Sequence, residues 1–319
     1  MSRLPRRPAA AVLGVAAAFL MAACGQSAAT NTGNAADGGG RNPDELVLAA
    51  VPSENAQSLQ QAYQPIISLL QKETGKKVRF QSATDYAAVI EAQRTDKVDI
   101  AQYGPLSYVL AKNSGVKASP IAAQTVTKGA EPGYKSYGIT KAGSPIKSIA
   151  DFKGKKICFV DPNSTSGYLY PKAALLQAGI DPAKDITPVM TGGHDASVLA
   201  VNSGQCDAGF AEDSMVDKIL IDKGQLKPGD VNTVWKSDVI AGSPVAISDD
   251  LAPDVKAKIT DVFQNKANVD YLNANGFCAT TCKAADDAGD WGYVKVDDTF
   301  YAGVRKVCAT TKDKQCTAS

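Results

Sequence analysis

Asp161-Pro162-Asn163-Ser164-Thr165-Ser166-Gly167 separates a short apolar run, Ile157-Cys158-Phe159-Val160, from a helix-type run over residues 168–178. Strand, polar turn and helix start in that order form the repeating unit of α/β folds. One N-cap oxygen satisfies one orphan N–H, so the three consecutive hydroxyl residues Ser164, Thr165 and Ser166 exceed what a cap needs. Hydroxyls, backbone N–H groups and the positive end of a helix together receive a tetrahedral anion. Taken alone, the segment is also explained by a plain cap followed by glycine.

The same unit recurs on both sides of this stretch. Residues 46–51 are continuously apolar, which marks a strand buried on both faces. An amphipathic helix is expected over 56–73 with Gly75 as its C-cap, then a strand at 78–80. Thr84-Asp85-Tyr86 opens a second helix, and a third strand lies at 98–101. Beyond the hydroxyl turn come a strand at 186–190, a helix at 194–202 and a strand at 206–210. Gly138-Ile139-Thr140 is expected to cross between halves, and 245–247 to form a further strand. Helices are expected over 251–264 and 297–308. One large doubly wound sheet accommodates this rhythm. Two similar α/β lobes do so better, because each half supplies a complete unit. Ligands of open α/β sheets lie beyond the carboxyl ends of the strands, so two lobes facing across those edges enclose a ligand and close by hinge motion.

The amino terminus is not part of that fold. Arg3, Arg6 and Arg7 precede an apolar stretch over 9–21, and Ala22-Ala23-Cys24-Gly25 ends it with small residues. That pattern is a secretory signal, too short to span a bilayer comfortably. It resembles a bacterial lipoprotein signal, which implies cleavage after residue 23 and lipid on Cys24, although Met21 stands where such signals usually carry Leu. An ordinary secreted protein is the alternative. Residues 24–45 then form a tether, rich in Ala, Asn, Gly and Ser from 26 to 40. About 275 residues follow it, enough for one large or two medium domains. A net charge of +1 provides no basic field for nucleic acid.

Besides Cys24 the chain has six cysteines, an even number that fits disulfides in an exported protein. Nearness in sequence favours Cys278 with Cys282 and Cys308 with Cys316, leaving Cys158 and Cys206 to pair across neighbouring strands. A zinc site is the competing use, but the spacing matches no common pattern and the single His lies elsewhere.

The candidate ligand residues sit at the strand and helix ends. Asp85-Tyr86 and His194-Asp195 open helices, Tyr134 precedes the crossover, and Glu212-Asp213 follow a strand. His194 follows Gly192-Gly193, whose lack of side chains permits close approach of a ligand. With Thr84-Asp85-Tyr86, Gly133-Tyr134, residues 161–167 with Pro171, Gly193-His194, Trp235-Lys236-Ser237 and Gly242-Ser243-Pro244 in hand, the chain resembles a known family. It is similar, over residues 46–259, to the phosphate/phosphite/phosphonate-binding family of ABC-transporter substrate-binding proteins.

The resemblance implies an α/β, two-lobed type II periplasmic-binding-protein fold. Each lobe is a mixed, mainly parallel sheet flanked by helices, with the ligand in the interlobe cleft. Residues 46–137 begin lobe 1, 138–239 form lobe 2, and 240–319 return to lobe 1 and end in a cysteine-containing tail. It implies anion contacts from Ser164, Thr165 and Ser166, tyrosine contacts from Tyr86 and Tyr134, and one from His194. Acidic ligand contacts fall near Asp213 and on Ser243, where aminophosphonate binders carry Asp. A cationic tail therefore lacks one partner, usually worth about 1.5–3 kcal/mol, and phosphite, phosphate or a neutral alkylphosphonate gains. A carboxylate at Asp213 beside an oxyanion favours monoprotonated anions. The partners implied are a phosphorus oxyanion and a membrane permease, with no metal or cofactor, for a monomer held to the outer face of the cell membrane through Cys24. A Ser/His hydrolase of phosphoesters using Ser164 or Ser166 with His194 is the rival, but no Gly-x-Ser-x-Gly elbow is present.

Overall fold

A computed structural model describes residues 39–278, 282, 284 and 290–317; the signal segment, Cys24 and most of the tether lie outside them. The first strand, β1 (Glu45–Ala50), explains its own sequence. Leu46, Leu48 and Ala50 enter one buried cluster while Ala49 and Val51 enter another, so both faces of the strand are covered.

The helix expected over 56–73 is two, α1 (Ala56–Ala62) and α2 (Gln64–Thr74). Pro65 at the start of α2 cannot donate to the preceding turn, so the axis breaks at Tyr63. Gly75 ends α2 in the left-handed region, φ 71°. After β2 (Lys77–Gln81), Asp85 caps α3 (Tyr86–Arg94) by accepting the Ala88 N–H at 2.8 Å. Then come β3 (Ile100–Gln102), α4 (Pro105–Asn113) and β4 (Ala118–Thr125); the last two carry no strong sequence signal and were not expected.

The chain then passes through the short β5 (Gly133–Tyr134) into β6 (Ser136–Lys141) and β7 (Lys156–Phe159). α5 (Tyr170–Gln177), β8 (Thr187–Met190), α6 (His194–Ser203), β9 (Ala208–Glu212), α7 (Leu220–Asp222) and β10 (Val231–Lys236) follow. The return runs through β11 (Ile240–Ala241), β12 (Pro244–Ser248), α8 (Pro253–Asp261), α9 (Val269–Ala274), β13 (Gly292–Lys295), α10 (Ala302–Thr311) and α11 (Lys314–Thr317).

Two lobes result. One holds the sheet β13-β4-β12-β3-β1-β2 and the other β10-β6-β9-β7-β8, while β5 and β11 pair with each other as an antiparallel ladder. Each sheet is mixed. β2-β1-β3 and β8-β7-β9 are parallel, and the remaining strands join antiparallel, so fewer strands run parallel than the sequence rhythm predicts. Gly138-Ile139-Thr140 is not a crossover: it lies inside β6, paired to β9 and β10. Residues 136–140 are all buried, which fits the interior of a sheet, whereas the link between sheets is the short β5–β11 ladder.

The cysteines form Cys158–Cys206, Cys278–Cys282 and Cys308–Cys316 disulfides. The tail touches both lobes. Cys308 and Val304 of α10 pack into the first lobe's core, while buried Asp313 accepts from Lys172 Nζ at 2.5 Å and Tyr168 Oη at 3.1 Å in the second. Among the described residues no helix is long and apolar enough to cross a membrane.

Candidate functional site

Four helix starts converge between the lobes. Tyr86 opens α3, Gly104 precedes α4, Ser164 caps the turn leading to α5, and His194 opens α6. Each follows a parallel strand (β2, β3, β7 and β8), so all four lie at the edge where such sheets place ligands.

The hydroxyl turn is shaped by Gly167. A Cβ there would overlap the Val160 side chain, so only glycine lets the turn fold back on β7. The chain winds as a π turn, Thr165–Leu169, before α5 begins at Tyr170, later than the 168 expected. Ser164 Oγ accepts the Gly167 N–H at 3.0 Å, and Thr165 Oγ1 accepts the Leu106 N–H of the opposite lobe at 2.7 Å. One of the two lone pairs of each oxygen is engaged there, and each hydroxyl keeps its hydrogen as a donor. Ser166 is equally buried; its carbonyl accepts from Ser136 Oγ at 2.6 Å. Ser164 lies by the Tyr86 hydroxyl, while Ser166 and Thr165 lie by that of Tyr134. Burial, and then the Glu212 carboxylate, push both phenols upward, so both keep their protons and can donate.

His194 is 3% exposed, and burial pushes its pKa down to about 3. Its Nδ1 accepts the Glu212 backbone N–H at 3.0 Å, which assigns the ring hydrogen to Nε2. Nε2 faces Tyr86 Oη at 3.5 Å. The imidazole is therefore a neutral donor with a fixed tautomer. Its folded pKa lies below the ordinary 6.5, so the unfolded chain binds the proton more readily. Its stabilising effect is complete above pH 6.5 and is lost as pH falls toward 3. By linkage that loss reaches a few (~2–5) kcal/mol, and urea midpoints across this range should fall more steeply for the wild type than for His194→Gln.

The glycines before His194 serve a different purpose from the one expected. Gly192 takes φ 85°, and the space beside Gly193 is filled by the Asp195 carboxylate and the Ser53 carbonyl rather than left for a ligand.

Tyr86, Tyr134, Ser164, Thr165, His194 and Ser243 line an inner cavity of about 50 Å³. The space is that of a small ligand and not of an extended one. Among the described residues Glu212 is the one charged group lining it, and no Lys or Arg does. An outer cavity of about 240 Å³ shares Gln124, Tyr134, Glu212 and Ser243 with it and opens onto Asp213, Asp217 and Lys218. Asp213 lies only on this outer side. Its Oδ2 accepts the Lys135 N–H at 3.0 Å and its Oδ1 the Ser214 N–H at 3.1 Å, and burial raises its pKa. Of the two neighbouring acids, Glu212 lines the inner cavity. Gln102 and Gln124, joined at 3.0 Å, also line it, and no sequence signal singled them out. Among the described residues no group of His, Cys, Asp and Glu is placed to hold a metal ion.

The sequence profile of the family described as "ABC transporter, phosphonate, periplasmic substrate-binding protein" matches residues 48–301. The chain is 47% identical over 283 residues to the Phosphate-import protein PhnD of Mycolicibacterium smegmatis, covering 86% of this chain and 88% of that one. It is 34% identical over 224 residues to the Phosphonates-binding periplasmic protein of Escherichia coli, covering 69% and 65%. Among solved structures, the binding component of an ABC phosphonate transporter from Pseudomonas aeruginosa superposes with a TM-score of 0.73 at 26% identity, over 84% and 86% of the chains. PhnD1 from Prochlorococcus marinus, solved with methylphosphonate, shares the fold with a TM-score of 0.70 at 20% identity, over 85% and 99%. A family match across most of the chain, on a fold whose helix starts frame one small oxyanion-sized cavity, makes this chain a member of the phosphonate periplasmic substrate-binding proteins of ABC transporters.

Proposed function

We propose that the chain captures a monoprotonated phosphorus oxyanion, inorganic phosphate foremost, and hands it to an ABC permease while lipid on Cys24 holds it at the outer face of the membrane. The observation that carries this reading is the inner cavity: neutral donors around about 50 Å³, with one carboxylate and no cation among the described residues. Ser164, Thr165, Tyr86, Tyr134 and His194 Nε2 supply hydrogens to the anion's oxygens, and Ser166, which does not line the cavity, supports the Tyr134 hydroxyl. Glu212 takes the remaining oxygen, which must carry a hydrogen for that contact to be attractive. Asp213 stands on the outer side, and Ser243 lines both cavities. The name of the 47% identical relative supports phosphate, and Ser243 leaves a cationic tail short of a partner. A mature monomer fits one such site per chain.

A Ser/His hydrolase is disfavoured by the ring itself. Nδ1 of His194 is occupied by the Glu212 N–H and Nε2 carries the hydrogen, so no basic lone pair faces a serine. Calorimetric titration with a panel of anions tests the reading. Phosphate, phosphite and methylphosphonate should bind, 2-aminoethylphosphonate at least about tenfold more weakly, and sulfate, which is doubly deprotonated at neutral pH, more than about hundredfold more weakly. Sulfate binding as tightly as phosphate would contradict the role given to Glu212.

A further inference from the structure

The loop after β1 grips the opposite lobe. The Ser53 carbonyl accepts the His194 N–H at 2.8 Å, and the Asn55 N–H donates to Asp195 Oδ2 at 3.1 Å. Between them, Glu54 pairs with Lys223 just beyond α7. The Glu54 side chain is 3% exposed and that of Lys223 20%, and neither residue lines the inner or the outer cavity.

We infer that Glu54 and Lys223 form a closure clasp, a positioning pair that sets how much of the protein is closed and how slowly ligand leaves. The inference rests on the reading of the inner cavity as the oxyanion site. Glu54 belongs to lobe 1 and Lys223 to lobe 2, 169 residues apart, so the contact exists only when the lobes are together. Opening returns both charges to water. Closing without Lys223 buries the Glu54 carboxylate short of one opposite charge, which disfavours the closed state. Affinity falls in proportion to the closed fraction, even though no ligand contact has changed. The same loop holds the first N–H of α6 through Ser53, so loosening it also frees His194 from its place beside Tyr86.

The test is a charge exchange. Lys223→Glu should raise the phosphate Kd about 10- to 100-fold, chiefly through faster release in stopped-flow, and Lys223→Gln, a milder change at a partly exposed site, about tenfold. The double variant Glu54→Lys with Lys223→Glu should recover most of that loss. In small-angle X-ray scattering with saturating phosphate, the single variants should keep the wild-type closed radius. The clasp is refuted if Lys223→Glu and Lys223→Gln bind phosphate with the wild-type Kd, or if the exchange rescues nothing while both singles remain folded by circular dichroism. Failure of the wild type itself to bind any phosphorus oxyanion would instead sink the function proposed above.

Discussion

Replacing Ser164 and Thr165 together with alanine lowers the affinity for phosphate about 10²- to 10⁴-fold. Each removes a hydroxyl donor to an anion, and such charge-assisted bonds contribute about 1.5–3 kcal/mol apiece. The pair matters more than two isolated surface serines would, because both side chains are 1% exposed and water cannot replace them cheaply. Thr165 carries a second duty, accepting the Leu106 N–H across the cleft. Thr165→Ser preserves the hydroxyl and should bind within a few-fold of wild type, which separates loss of the donor from loss of the methyl group. Calorimetry reads the affinity. The melting temperature without ligand reads the cap contribution of Ser164, about 1 kcal/mol.

The second large effect is on stability. Converting Cys158 and Cys206 to alanine together should lower the unfolding free energy by about 4 kcal/mol, the loop-entropy value for the 48 residues this bridge spans. The other two bridges span 4 and 8 residues and should matter less. Cys158 lies in β7 and Cys206 just before β9, so the bridge ties together the two strands whose ends carry the hydroxyl turn and Glu212. Urea titration should show a lower midpoint with a somewhat steeper slope, because the unfolded chain without this bridge is less compact, and phosphate binding should persist below the new transition.

Much of the site was legible because its residues sit where local sequence forces structure. Ser164 is followed three residues later by Gly167, and Asp85 caps α3, so the helix starts were fixed by short-range chemistry. The choice between Glu212 and Asp213 was not. Successive strand residues face opposite ways, and β9 runs to Glu212 rather than stopping at Phe210. That two-residue difference decides which carboxylate lines the inner cavity. Gln102 and Gln124 were invisible for another reason: a neutral amide reads as any other polar residue until the strands β3 and β4 are brought onto one sheet. The reading of Gly138-Ile139-Thr140 as a crossover failed in the same way, because a short β-type segment announces a strand but not the neighbours it pairs with.

The central claim, that two lobes shut around one small phosphorus oxyanion, is tested most directly by titrating the mature protein with phosphate while its melting temperature is followed. A ligand that binds only the folded form at about 100 times its Kd adds about 2.7 kcal/mol, so the account predicts one-to-one binding and a rise of several degrees. No heat and no shift with phosphate, phosphite or methylphosphonate would contradict it.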